Sequence, residues 1–76
     1  MSTEEKLLSI FNEIFDQNLD KVSVDISMEN LDYWDSFGHI SFMAACESEF
    51  EVSVDIETFS SLTNLSSISN YIAELV

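Results

Sequence analysis

This sequence predicts an all-α fold, a small four-helix bundle with three longer helices and one short third helix. Three observations lead there. The 76 residues contain no proline and one glycine, so the chain lacks the turn residues that a small β-sandwich or a series of hairpins requires. Apolar residues recur at helical spacing in separate stretches. The hydrophobic fraction of 46% is that of a folded domain and too high for an acidic disordered tail.

In the first helix, expected from about Thr3 to about Asn18, the apolar positions are Leu7, Ile10, Phe11, Ile14 and Phe15. Ser2 and Glu5 have the spacing of a capping box, which would satisfy two orphan amides at the helix start. From Leu19 to Trp34, Val22, Val24 and Ile26 alternate with Ser and Asp, but charges and Asn30 break any longer pattern. This stretch reads as a long ordered loop. The alternative, a short β-strand, would have no partner.

A second helix opens at Asp35 or Ser36, both good N-cap types, and runs to about Phe50. Its inward stripe is Phe42, Met43, Cys46 and Phe50, while Phe37, Ile40, Ala44 and Ala45 fall on other faces. That is more apolar surface than one core contact needs, and the surplus points to a partner. After Glu51-Val52-Ser53-Val54, a short turn of helix spans Ile56 to Ser61. A last helix carries Leu65, Ile68, Ile72 and Leu75, capped by Thr63 or Asn64. No repeat or linker divides the chain, so residues 1–76 are expected to form one domain.

The charge excludes whole classes of partner. Fifteen Asp and Glu against two Lys give a formal charge of −13, which repels nucleic acids and anionic membrane surfaces alike. The single cysteine, Cys46, allows no internal disulfide, and no CxxC or Cys/His cluster is present for zinc. The N-terminus lacks the basic start and apolar core of a signal peptide, and Phe42 to Cys46, the longest apolar run, is far too short to span a membrane. A cytoplasmic monomer is expected. A chain this short buries only about 60% of its unfolded surface, so it is expected to bind, carry or be recognised rather than to catalyse.

The most informative stretch is Leu31-Asp32-Tyr33-Trp34-Asp35-Ser36-Phe37-Gly38-His39-Ile40. An Asp-Ser pair at a helix start can be no more than a cap. Here, however, Asp35-Ser36-Phe37 is followed by the acid-rich helix end Glu47-Ser48-Glu49-Phe50, then by the acidic segment Asp55 to Leu62. A last helix follows, opening with Thr63-Asn64-Leu65 and closing with Tyr71-Ile72. Over nearly its whole length the chain thus resembles the acyl carrier protein family, small acidic four-helix domains with an Asp-Ser-Leu-like motif opening the second helix.

The resemblance implies that Ser36, with Asp35 as its motif partner, receives a 4′-phosphopantetheine arm from coenzyme A. A separate magnesium-dependent phosphopantetheinyl transferase would install it, and the arm's thiol would carry an acyl or aminoacyl group as a thioester between partner enzymes with basic surfaces. The domain itself would not be an enzyme. A phosphodiester at Ser36 would lie where free amides and the macrodipole favour an anion by about 0.3 to 1 kcal/mol. Trp34 stands where fatty-acid carriers usually have a small residue, Phe37 replaces leucine, and Gly38, His39 and Ser41 replace positions often acidic there. These departures point to a specialised biosynthetic pathway. Phe37, Ile40 and Ala44 share a helical face beside Ser36 and are read as apolar partner contacts, with Glu47, Glu49 and Glu51 as electrostatic guides. The rival reading is an unmodified acidic interaction module that uses the same apolar face.

Other constellations carry less. Asp35, Ser36 and His39 on one helical turn cannot form a nucleophile, base and orienter chain, and no G-x-S-x-G elbow is present. His39 is expected to be a surface or semi-buried residue beside the arm. Gly38 either lets an arm or partner approach the backbone or is merely tolerated near a helix end. Trp34 and Tyr33 either cap the bundle or line the path of the arm. Asp16, Asn18 and Asp20 begin like a calcium loop, but Lys21 and Ser27 occupy the positions that need Gly and Glu. Cys46 lies on the buried stripe as an inert small hydrophobe.

Overall fold

A computed structural model describes residues 2–76. Its four helices are α1 (Thr3–Phe15), α2 (Ser36–Phe50), α3 (Ile56–Ser61) and α4 (Leu65–Leu75). The expected fold class, with its short third helix, is what the chain adopts. Each helix starts the same way: the side chain of Ser2, Asp35, Asp55 or Asn64 accepts a hydrogen bond from the amide three residues on, satisfying one otherwise orphaned donor. The capping box at α1 is only half made. Glu5 donates its amide to the Ser2 hydroxyl at 3.1 Å, but the Glu5 carboxylate meets that same hydroxyl instead of an amide.

The expected continuation of α1 to Asn18 fails for a local reason. Asp16 takes the left-handed conformation (φ 55°) and donates to the Asn12 carbonyl, as does Gln17 at 2.9 Å. The Asn12 carboxamide then clasps Leu19 through both its amide (3.0 Å) and its carbonyl (2.9 Å), turning the chain back along α1.

The core is built by Leu7, Leu8 and Phe11 of α1, Phe42, Met43 and Cys46 of α2, Leu65, Ile68 and Ile72 of α4, and Trp34 from the long loop. α1 is the central element, packing against both α2 and α4. Two residues expected inside, Ile14 and Leu75, are exposed. Leu8 is buried instead, as α1 packs against both α2 and α4, while Ile14 and Leu75 lie in the last turns of α1 and α4.

The loop is ordered, as its composition implies. Val22, Ile26, Met28 and Leu31 pack against the core and Val24 points away. The strand alternative reduces to one antiparallel bridge between Ser27 and Asn64, with Met28 donating to the Thr63 carbonyl and Leu65 to the Ile26 carbonyl. That bridge pins the loop to the start of α4 and so fixes where Trp34 and Ser36 emerge.

Candidate functional site

Ser36 is the first residue of α2 and is exposed. Asp35 before it is extended (φ −98°, ψ −177°). Its Oδ1 accepts from the Gly38 amide at 2.8 Å, and its carbonyl accepts from the His39 amide at 2.8 Å. The carboxylate is thereby turned into the helix, leaving the Ser36 hydroxyl beside it facing solvent. The amides of Ser36 and Phe37 have no helical acceptor, as in any first turn, and point with the positive end of the helix dipole toward the same space. An anion esterified to Ser36 fits this arrangement.

Beneath the serine the chain is densely aromatic. Trp34 is 1% exposed and belongs to the core, which settles its role. It meets Phe11 edge-on at 5.2 Å between ring centroids and Phe42 at 6.0 Å. Tyr33 remains partly exposed, its ring against Phe15 and Phe11, and burial raises its phenol above the ordinary value. Gly38 has a different explanation from either sequence reading. A β-carbon there would come within 2.6 Å of Cε1 of Phe15 and 3.3 Å of the Asp35 carboxylate. The missing side chain makes room for the Phe15 ring, which closes α1 over the first turn of α2.

His39 is not a surface residue. It is 6% exposed, and both ring nitrogens are engaged. Nδ1 accepts from the Trp34 indole at 3.1 Å, and Nε2 lies 3.0 Å from the Phe59 carbonyl. Because an indole only donates and a carbonyl only accepts, the proton is on Nε2. Burial lowers the imidazole's pKa, with the Phe59 carbonyl opposing in part. Pointed inward with both nitrogens taken, His39 cannot act as a base toward Ser36. The signal for this burial was in the sequence, because the inward stripe of Phe42, Met43 and Cys46 extends back one turn to position 39.

Of the expected partner contacts, Phe37 (81% exposed), Ile40 (61%) and Ala44 do share an outward face of α2. Ile56 at the start of α3 is 77% exposed and was not among them. The three acids are not brought together. Glu47 accepts from the Val54 amide at 2.9 Å and holds the segment leading into α3. Glu49 lines a groove with Lys6, Ser9, Ile10 and Glu13 of α1, and Glu51 is exposed as the left-handed cap ending α2. Cys46 is fully buried, its thiol pushed up to about 12 by burial and by neighbouring Glu47. Among the described residues no cluster of His, Cys, Asp and Glu could hold a metal ion, and no helix is long and apolar enough to cross a membrane.

A family model described as "Phosphopantetheine attachment site" matches residues 5–72. A solution NMR structure of holo acyl carrier protein from Geobacter metallireducens superposes with a TM-score of 0.83. It covers 97% of this chain and 85% of that one at 22% identity, a likeness of fold. No individual curated protein matches the sequence. The chain belongs to the phosphopantetheine attachment-site family, whose members are carriers of covalently attached 4′-phosphopantetheine rather than enzymes, and it has the fold of an acyl carrier protein.

Proposed function

We propose that residues 1–76 are one carrier domain in which Ser36 is the attachment residue. Its hydroxyl would be esterified by the phosphopantetheine arm, whose thiol supplies the thioester chemistry for an acyl or aminoacyl group in a specialised biosynthetic pathway of the cytoplasm. The observation that carries this reading is the geometry of one turn. Ser36 is exposed at the start of α2, with unclaimed amides beside it, and Asp35 is held back on Gly38 at 2.8 Å. Asp35 thus acts as a positioning residue, fixing the first turn while its own charge is satisfied within the helix.

The apolar face of Phe37, Ile40 and Ala44 lies directly beside that serine and is the proposed contact for the transferase and the acyl-handling enzymes. A chain of charge −13 attracts basic surfaces over distance and speeds such encounters. Incubation with coenzyme A, magnesium and a broad-specificity phosphopantetheinyl transferase, followed by intact mass, tests the assignment. One arm is expected on the parent and none on Ser36→Ala. Modification of the alanine variant, or none on the parent, would overturn it.

A further inference from the structure

α3 is the least anchored element of the bundle. None of its six residues is fully buried, although Phe59, and Leu62 just after the helix, pack partly against the core. Two side chains of α2 hold this region by hydrogen bonds. Glu47 bonds the Val54 amide before α3 begins, and His39 bonds the Phe59 carbonyl within it. The imidazole also stacks on the Phe59 ring, 4.3 Å between centroids at 24°. Its other nitrogen is committed to Trp34, in the turn that presents Ser36.

We propose that His39 is a proton-sensitive positioning residue that couples α3 to the turn bearing Ser36. In the neutral ring, acceptor Nδ1 faces the indole N–H and donor Nε2–H faces the carbonyl, so both contacts are matched. When Nδ1 takes a proton from solvent, it becomes a donor facing a donor, and a positive charge sits in a site 6% exposed without a paired anion. The ring must leave Trp34 to be hydrated, and it takes with it the bond and the stacking surface that hold Phe59. Mild acid therefore releases α3 while α1 and α4, joined by apolar contacts with Leu65, Ile68 and Ile72, stay packed.

The groups around the ring do not offset this. Trp34 and Phe59, which flank it, do not titrate. The carboxylates on the neighbouring elements are Asp32 and Asp35 on the turn and Asp55 and Glu57 on α3, all exposed. The shift at His39 comes from burial and the Phe59 carbonyl, without a charge among its causes. The sign follows. A base whose pKa is lower in the docked state binds more protons when undocked, so docking is strongest above the ordinary histidine range near 6.5 and weakens as pH falls through it. The opening equilibrium of α3 rises by about tenfold for each pH unit between the two proton affinities, and levels off below the lower one.

Hydrogen exchange and ring-nitrogen NMR across pH 5 to 8 test the proposal on the unmodified full chain, so the outcome is independent of whether Ser36 carries an arm. At neutral pH the ring should show its proton on Nε2. On acidification, the Trp34 indole and the amides of Phe59 and Leu62, corrected for intrinsic exchange, should lose protection at one midpoint shared with the His39 ring. The amides of α1 and α4 should keep theirs. In His39→Gln, whose amide can donate and accept but does not titrate, α3 exchange should be flat over this range. Trp34→Phe removes the facing donor but leaves the charge buried, so it should move the His39 midpoint to higher pH and weaken, without abolishing, the pH dependence of α3 docking. A proton on Nδ1 at neutral pH overturns the proposal. So does protonation of His39 with α3 still protected, or an unchanged α3 midpoint in His39→Gln, which would assign the release to Glu47. If His39→Gln does not fold, an α3 midpoint in Trp34→Phe identical to the parent's overturns it instead.

Discussion

α2 and α4 are both rich in apolar residues, yet they use them differently. Before its last turn α4 sorts its side chains, with Leu65, Ile68 and Ile72 buried on one stripe and serines and asparagine on much of the rest, and Leu75 exposed only at its end. α2 does not. Its inner side buries His39, Phe42, Met43 and Cys46, while Phe37 and Ile40 stand in water on the outer side. A helix whose apolar residues exceed its one core contact keeps the remainder for something outside the fold, and here the remainder adjoins the exposed serine. The difference between the helices is thus between an element that packs its apolar stripe inward and one that also leaves apolar side chains exposed beside Ser36, the face proposed above as the contact for partners.

The sharpest way to break that contrast is to cut one phenylalanine from each side of α2. Phe42→Ala is expected to cost about 3–5 kcal/mol through lost transfer energy and an unfilled cavity, a large share of the roughly 5–15 kcal/mol total of a small domain. Phe37→Ala should change stability by less than about 0.5 kcal/mol, because the ring is already exposed. Urea denaturation of both variants at one salt concentration checks this. Similar losses would mean that the outer ring packs in solution and that the face is not free. Cys46 gives a parallel reading of the inner side: with its thiol buried and pushed up to about 12, it should resist alkylation at neutral pH until the protein unfolds.

A smaller effect belongs to the end of α2 where the two sides meet. Gly38→Ala places a β-carbon 2.6 Å from the Phe15 ring, and such overpacking typically costs about 1–3 kcal/mol. Alanine returns at most about 1 kcal/mol of helix propensity, less in a first turn. Net destabilisation is expected, and Gly38→Ala combined with Phe15→Leu should recover part of it. A strictly additive double-mutant cycle would show that the ring and the glycine are not coupled.

What the sequence made legible follows the same division. The helices, the cap at Ser2, the caps at Asp35 and Asn64 as one of two neighbouring candidates each, and the helix-opening serine could be read, because each depends on residues within a few positions of one another. Contacts between distant segments could not. Asn12 clasping Leu19, Phe15 closing over Gly38, and the line from Trp34 through His39 to Phe59 each join residues whose proximity only the packed bundle creates. The acids of α2 show the limit from the other direction. Glu47, Glu49 and Glu51 look alike as a run, but helical phase and local hydrogen bonds assign them to separate surroundings.

That separation supplies the smallest effect worth measuring. Glu49 follows Ile40 by about two and a half helical turns, which puts it on the opposite side of α2, where it lines the groove with Lys6 of α1. Glu51 is exposed at the helix end, about three turns from Ile40 and so in phase with the outer face. If basic partners dock on that outer face, Glu51→Lys should slow their association several-fold at low ionic strength, and Glu49→Lys should slow it less. Both reduce the net charge by the same amount, so long-range attraction alone would make them equal. Stopped-flow association with a phosphopantetheinyl transferase at low and physiological salt separates the cases, since screening with a Debye length of about 8 Å at physiological ionic strength should bring both variants toward the parent rate. Equal slowing would show that the encounter senses only total charge. Greater slowing by Glu49→Lys would move the docking surface to the α1 side of the helix.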